Sequence, residues 1–308
     1  MPSAPRGLRA NTIIAGVNKA GTTSLFVSLQ SHPQIATSSV KESKYFLPAR
    51  YGQPLDRVSV YESYFARAGD RPVRLEATPA YFYGGAPLVE QMVAVCGART
   101  KVMVVLREPV SRLVSFFAYQ KARLRIPTEM TIEEYLAHAD RLGDADFLDP
   151  ANERWFAFRG GCYADFLAPW RDTFGDDLRV VFFDDLTTQP DAVLTDIARW
   201  LGIDPNGCPA SGLSSENRTT GFRSRGFQRV ALTANDRLER LLRRNPRFKE
   251  RLRALYYRIN GQAQREAVPD GVRAALRARY DEPNDRLAAQ LDAMGVAPLP
   301  AWLDTAAR

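Results

Sequence analysis

The chain has 308 residues, 45% of them hydrophobic and 25% charged, a balance that suits a globular fold with a large core. Lys and Arg total 42 against 35 Asp and Glu, a net charge of +7, and only six of the 42 are lysines. Three widely spaced cysteines (Cys96, Cys162, Cys208) and two histidines (His32, His138) speak against a disulfide framework or a zinc site. The arginine surplus reads either as compositional bias or as preparation for a polyanionic ligand. No zinc spacing or aromatic RNA-binding motif points to nucleic acid. The longest wholly apolar runs, as at 102–106, are about five residues, against the roughly 20 a membrane helix needs. The first ten residues carry arginines without a following apolar stretch of signal-peptide length, so a cytoplasmic protein is expected.

The first strong signal is at residues 11–25. The apolar run 12–15 predicts a buried strand, Gly16 and Gly21 bracket a turn, and Thr22, Thr23 and Ser24 open a helix running towards Ser31. Strand, glycine turn and helix amino terminus together cradle phosphate, through backbone N–H groups and the helix dipole. The glycine spacing is that of a P-loop, but Thr22 follows the second glycine where a lysine is usual. The loop's lysine is instead Lys19, inside the turn beside Asn18 and Ala20.

Further along, Pro33 stops the first helix and 34–37 predicts a short strand. The following Lys41, Glu42, Ser43, Lys44, Tyr45 and Phe46 read either as a polar loop with two aromatics in the core or as a site segment at a strand's carboxyl end. Residues 56–69 are mixed helical, 73–79 a strand running into a turn, and 86–96 a helix. The run 101–106 is the clearest buried parallel strand. It ends at Arg107, Glu108 and Pro109, with Ser111, Arg112 and Ser115 on the helix that follows. That corner is a second anion site, or Arg107 pairs with Glu108 at a sheet edge. Residues 124–159 interrupt the α/β pattern as an acceptor-side insertion and contain a capping box, Thr131 with Glu134. A helix over 163–174, a buried strand over 178–183 ending at Asp184 and Asp185, and an amphipathic helix over 191–201 follow. The loop 202–226 ends with Arg218, Arg223, Ser224, Arg225 and Gly226, either a phosphate clamp or a solvated basic turn. Residues 232–259 and 268–294 predict arginine-rich helices, and one domain is expected, with an α/β core over about 10–230 and a helical part over about 231–308.

Four blocks resemble the sulfotransferases that use 3′-phosphoadenosine 5′-phosphosulfate (PAPS), most of all the bacterial branch related to heparan-sulfate sulfotransferases. Residues 16–24 resemble that family's 5′-phosphosulfate loop, with lysine inside the turn. Residues 41–46 resemble the segment with the catalytic glutamate, and 105–115 the 3′-phosphate segment. Residues 159–163 and the 223–226 loop are similar to later blocks, and residues 280–284 give a weaker echo. The resemblance implies an α/β fold: a P-loop-like central parallel β-sheet flanked by helices, with a helical carboxyl-terminal part. It implies PAPS as donor, adenosine 3′,5′-bisphosphate (PAP) as product, and no required metal. Lys19, Asn18, Ala20, Gly21, Thr22, Thr23 and Ser24 would hold the 5′-phosphosulfate, with Lys19 also catalytic. Glu42 would be the general base, with Lys41 and Lys44 beside it, and Arg107 and Ser115 would hold the 3′-phosphate. Arg223, Ser224, Arg225 and Gly226 would close over the nucleotide. The acceptor would be a small molecule, glycan or lipid carrying a hydroxyl or amine. Two positions depart from the glycan-modifying members: Lys44 stands where histidine is common, and Ala77 where lysine often precedes the Thr-Pro pair. Two rival readings share these features: a P-loop nucleotide kinase with Asp184 and Asp185 as metal carboxylates, and a non-catalytic binder of anionic ligands.

Overall fold

The computed structural model describes residues 8–208, 221–222, 261–262 and 268–304. Its centre is a five-stranded sheet in the order β2-β3-β1-β4-β5, made of β1 (Thr12–Gly16), β2 (Ile35–Thr37), β3 (Val73–Ala77), β4 (Lys101–Leu106) and β5 (Leu178–Phe182). Every pairing in it is parallel. Parallel neighbours need crossovers, and these supply the helices that cover the sheet. In chain order they are α1 (Thr22–Gln30), α2 (Leu47–Arg50), α3 (Val58–Ser63), α4 (Gly85–Cys96), α5 (Pro109–Ala122), α6 (Ile132–Ala139), α7 (Ala164–Phe174), α8 (Phe183–Thr188), α9 (Pro190–Leu201) and α10 (Asp270–Ala293). The expected P-loop-like α/β architecture is therefore present. All of β1 is buried, as is β4 from Val102 to Leu106, which is why both strands read as unbroken apolar runs.

Local chemistry sets the element boundaries. Pro109 opens α5, and the Glu108 carboxylate accepts from the N–H groups of Val110 (2.9 Å) and Ser111 (2.7 Å). Glu108 is thus a helix cap, and the alternative in which it serves mainly as partner to Arg107 gives way to that role. The capping box at Thr131 and Glu134 opens α6 as expected. Asp184 and Asp185, expected at the end of β5, lie in the first turn of α8, where Asp184 accepts from the Trp302 indole at 3.1 Å. The insertion 124–159 is irregular, holding α6 and two 3₁₀ turns, Ala145–Leu148 and Pro150–Trp155.

A two-stranded antiparallel pair, β6 (Gly221–Phe222) and β7 (Gly261–Gln262), puts β6 beside α5. The predicted loop residues Arg223, Ser224, Arg225 and Gly226, and the helix expected over 232–259, lie outside the described residues. Among the described residues no helix is long and apolar enough to cross a membrane. Helix α10 docks through Tyr280, whose hydroxyl donates to the Phe158 carbonyl (2.9 Å), and through the Arg279–Asp140 ion pair (2.7 Å).

The order of the sheet locates the functional edge. β1 lies between β3 and β4, so the chain departs to opposite sides of it, and a crevice opens at the strands' carboxyl ends. Close packing there is demanding: a Cβ on Gly16 would stand 2.7 Å from the Cβ of Phe82. Gly16→Ala is expected to cost about 1–3 kcal/mol of unfolding free energy. Urea titration should show a lower midpoint with an unchanged slope.

Candidate active site

The loop from β1 to α1 turns tightly around two left-handed residues, Lys19 (φ 71°) and Gly21 (φ 84°). Gly21 is the N-cap of α1, and a Cβ on it would meet the Phe183 ring at 2.9 Å. Backbone and space both demand glycine there. No side chain caps α1, and the first N–H groups of a helix have no partner within it. Asn18, Lys19, Ala20, Gly21, Thr22, Thr23 and Ser24 therefore form one continuous turn into a helix amino terminus, as the sequence predicts.

Two cations meet at this loop. Arg107, at the end of β4, donates from Nη1 to the Lys19 carbonyl (3.0 Å) and lies 4.5 Å over the Phe183 ring. Its own carbonyl accepts from the Tyr163 hydroxyl at 2.7 Å, which fixes the backbone. The Lys19 ammonium lies 4.8 Å over the ring of Tyr119 on α5. Burial above all, with the positive charge of Arg107 beside it and Glu42 opposing, brings Lys19 down to about 8. Burial also lowers Arg107. Two desolvated cations that destabilise each other form a corner in which an anion is favoured. Ser115 lies on α5 four residues before Tyr119, on the helix face that also carries Ser111.

The segment after β2 forms the other wall. The Lys41 ammonium donates to Thr23 Oγ1 (2.9 Å) and to Glu42 Oε1 (3.1 Å), joining this segment to α1. Glu42 is about half exposed, with a side-chain exposure of 47%, and its N–H donates to the Ala77 carbonyl at 2.9 Å. Glu42 and Lys44 both have left-handed backbone, φ 58° each. The Lys44 side chain is exposed, and its N–H donates to Thr78 Oγ1 at 3.3 Å. Beneath them lies Glu76, fully buried in β3, whose carboxylate accepts from Ser43, Thr78, Tyr81 and Tyr61. Burial pushes its carboxyl above the usual range, against the pull of those hydroxyls.

Lys19 and the α1 amino terminus after β1, Lys41 and Glu42 after β2, and Arg107 after β4 thus converge from three strand ends far apart in sequence, while the Lys44 backbone bonds to Thr78 after β3. Arg112, by contrast, turns into the core, where its guanidinium donates to the Ala157 carbonyl. Three residues that the sequence does not single out shape the site: Glu76, Tyr119 and Phe183. A lone carboxylate inside the apolar strand 73–77 was the available signal for Glu76. Tyr119 was signalled only by its four-residue spacing from Ser115. Among the described residues no group of three or more His, Cys, Asp or Glu side chains is arranged to hold a metal ion.

The family profile described as "Sulfotransferase domain" matches residues 9–221. Human heparan sulfate glucosamine 3-O-sulfotransferase 6 is 30% identical over 159 residues, 51% of this chain and 42% of that protein. Mouse heparan sulfate glucosamine 3-O-sulfotransferase 3A1 is 27% identical over 193 residues, 62% of this chain and 45% of that protein. The chain thus spans less than half the length of these curated relatives. A solved sulfotransferase from Alicyclobacillus acidocaldarius shares the fold, with a TM-score of 0.58 at 23% identity over 73% of this chain and 90% of that one. With a match extending over well more than half its length, the chain belongs to the sulfotransferase domain family.

Proposed function

We propose that this chain transfers a sulfuryl group from PAPS to a hydroxyl or amine of an acceptor, releasing PAP. The observation that carries the reading is the pair of half-buried cations, Lys19 and Arg107, beside an uncapped helix start, with the Glu42 carboxylate across from them. A nucleotide phosphorylated at both 5′ and 3′ positions needs two anion sites, and this corner offers both. The residues fit the donor: the glycine turn lets backbone approach the 5′-phosphate, and the cations match its charge.

Sulfuryl transfer makes demands like those of phosphoryl transfer, with in-line displacement and charge growing on the leaving oxygen. The donor supplies an activated sulfur whose bond to the 5′-phosphate oxygen breaks as the acceptor oxygen or nitrogen bonds to it. Lys19 holds positive charge against that leaving oxygen. Thr22 and Thr23, with the N–H groups of the α1 start, hold the 5′-phosphate. Glu42 accepts the acceptor's proton, and Lys41 and Lys44 keep positive charge near the transferring group. Arg107 and Ser115 grip the 3′-phosphate, with Arg223, Ser224, Arg225 and Gly226 covering the nucleotide. The acceptor is a small molecule, glycan or lipid. Lys44 and the buried Ala77, standing in place of the histidine and lysine of glycan-modifying members, set its acceptor side apart from theirs.

Arg107→Ala is expected to weaken PAP binding by roughly 10- to 100-fold, the loss of about 1.5–3 kcal/mol for a hydrogen bond to a charged group. Turnover at saturating donor should change little. Calorimetric titration with PAP, set beside the rate at high PAPS, separates the two. The reaction itself is tested by offering PAPS with acceptors of several classes and detecting an added SO₃ by mass spectrometry. A product with one acceptor class and none with the others supports the reading. No product with any class, together with phosphate transfer from ATP, overturns it.

A further inference from the structure

Glu42 and Lys44 carry side chains in left-handed backbone, a conformation that costs free energy and persists only where surrounding contacts enforce it. The Glu42 N–H is held by the Ala77 carbonyl, and the contacts on the residues that follow it centre on one buried oxygen. Glu76 Oε1 accepts from Ser43 Oγ (2.5 Å), Thr78 Oγ1 (2.8 Å) and the Tyr81 hydroxyl (2.9 Å). Each of these three hydroxyls in turn accepts a backbone N–H of the same short segment. Lys44 N–H donates to Thr78 Oγ1, Tyr45 N–H to Ser43 Oγ and Phe46 N–H to the Tyr81 hydroxyl, all at 3.3 Å. Three consecutive amides are thus relayed through three hydroxyls to a single carboxylate oxygen. The Tyr61 hydroxyl (2.9 Å) occupies the other oxygen, Oε2, and relays to none of these amides.

The chemistry of a carboxylate makes this order possible. As a pure acceptor it fixes the proton of every hydroxyl towards itself, leaving their lone pairs for the amides. An alkyl group in its place cannot orient the three hydroxyls at all, and a neutral amide, with one weaker acceptor oxygen and a donor facing Tyr61, holds them less firmly.

We infer that Glu76 is a positioning residue: through Ser43, Thr78 and Tyr81 it holds the 42–46 segment in the one backbone arrangement that aims Glu42 at the acceptor. The inference rests on the reading of Glu42 as the base, but the anchoring of the loop is measurable without any reaction. Glu76 touches neither donor nor acceptor in this scheme. Its effect is on where the base stands.

The test uses the full chain and four variants: Glu76→Gln, Ser43→Ala, Ser43→Thr and Tyr61→Phe. Hydrogen–deuterium exchange reads the loop directly, in peptides covering 42–46 and, for reference, β4. Glu76→Gln and Ser43→Ala are expected to speed exchange in 42–46 and leave β4 unchanged. Both should lower kcat about 10- to 100-fold, the cost of a misplaced reacting group, with PAP affinity within twofold of the parent. Ser43→Thr, which keeps the hydroxyl, should restore most of kcat. Tyr61→Phe removes a buried partner of the same carboxylate without touching the relays, and should lower the unfolding temperature while leaving kcat within about twofold. If Glu76→Gln does not fold, Ser43→Ala decides alone. Unchanged exchange in 42–46 overturns the inference, as does faster exchange with an unchanged kcat. Equal losses of kcat in Tyr61→Phe and Ser43→Ala overturn it too, because they mark general loosening of the core. Absence of transfer by the parent chain counts against the proposed reaction, and the exchange measurement still decides whether Glu76 anchors the loop.

Discussion

Lys19→Ala is expected to lower kcat by about 10²–10³-fold, the usual loss when one donor aimed at developing charge is removed. The fold should survive, because the ammonium lies at the loop over the Tyr119 ring and is no part of the apolar core. The rate of transfer from PAPS, measured beside a thermal unfolding curve, checks both halves. A pH dependence follows from the same residue. In the nucleotide-free protein burial and Arg107 bring Lys19 down to about 8. A bound phosphate favours the charged ammonium and raises that value, so above pH 8 binding takes up a proton. Affinity for PAP should therefore weaken as pH rises from about 8 towards 10, by at most tenfold per unit. Lys19→Ala should flatten that dependence. Equal affinity of the parent chain across this range would show that Lys19 does not meet the phosphate.

Glu42→Gln carries the second large effect, a fall in kcat of about 10²–10⁴-fold, the usual range for general base catalysis. Gln keeps the shape of the side chain and a partner for Lys41, whose ammonium lies 3.1 Å from Glu42 Oε1. Because the change removes basicity and little else, PAP binding should stay within a few-fold. Full turnover of the Gln variant at neutral pH would remove Glu42 from the role and shift attention to a base supplied by the acceptor itself.

What could be read from the sequence follows from how local each feature is. β4 is a run of apolar residues buried on both faces, and its boundaries match the expected 101–106. The α6 start is written in two residues three apart, Thr131 and Glu134. The 16–24 loop is legible because glycine positions and a displaced lysine lie within nine residues. The Glu76 network was not legible. Ser43 lies 33 positions from it and Tyr81 five, so their meeting depends on β2 and β3 pairing in parallel with one register. Tyr119 is likewise an ordinary helix residue until α5 is laid against the loop, where Lys19 covers its ring. Asp184 and Asp185 show the same limit in reverse. A strand-end carboxylate pair in sequence becomes the first turn of a helix once Phe183 leaves the sheet to close on Arg107 and Gly21.

The central claim is that the corner between Lys19 and Arg107 is built for an adenosine nucleotide phosphorylated at both 5′ and 3′. Calorimetric titration of the full chain with PAP, adenosine 5′-phosphate and ATP with Mg²⁺ tests it most directly. PAP should bind, and adenosine 5′-phosphate should bind roughly 10- to 100-fold more weakly for want of the second phosphate. Binding of ATP with Mg²⁺ but not of PAP would contradict the claim.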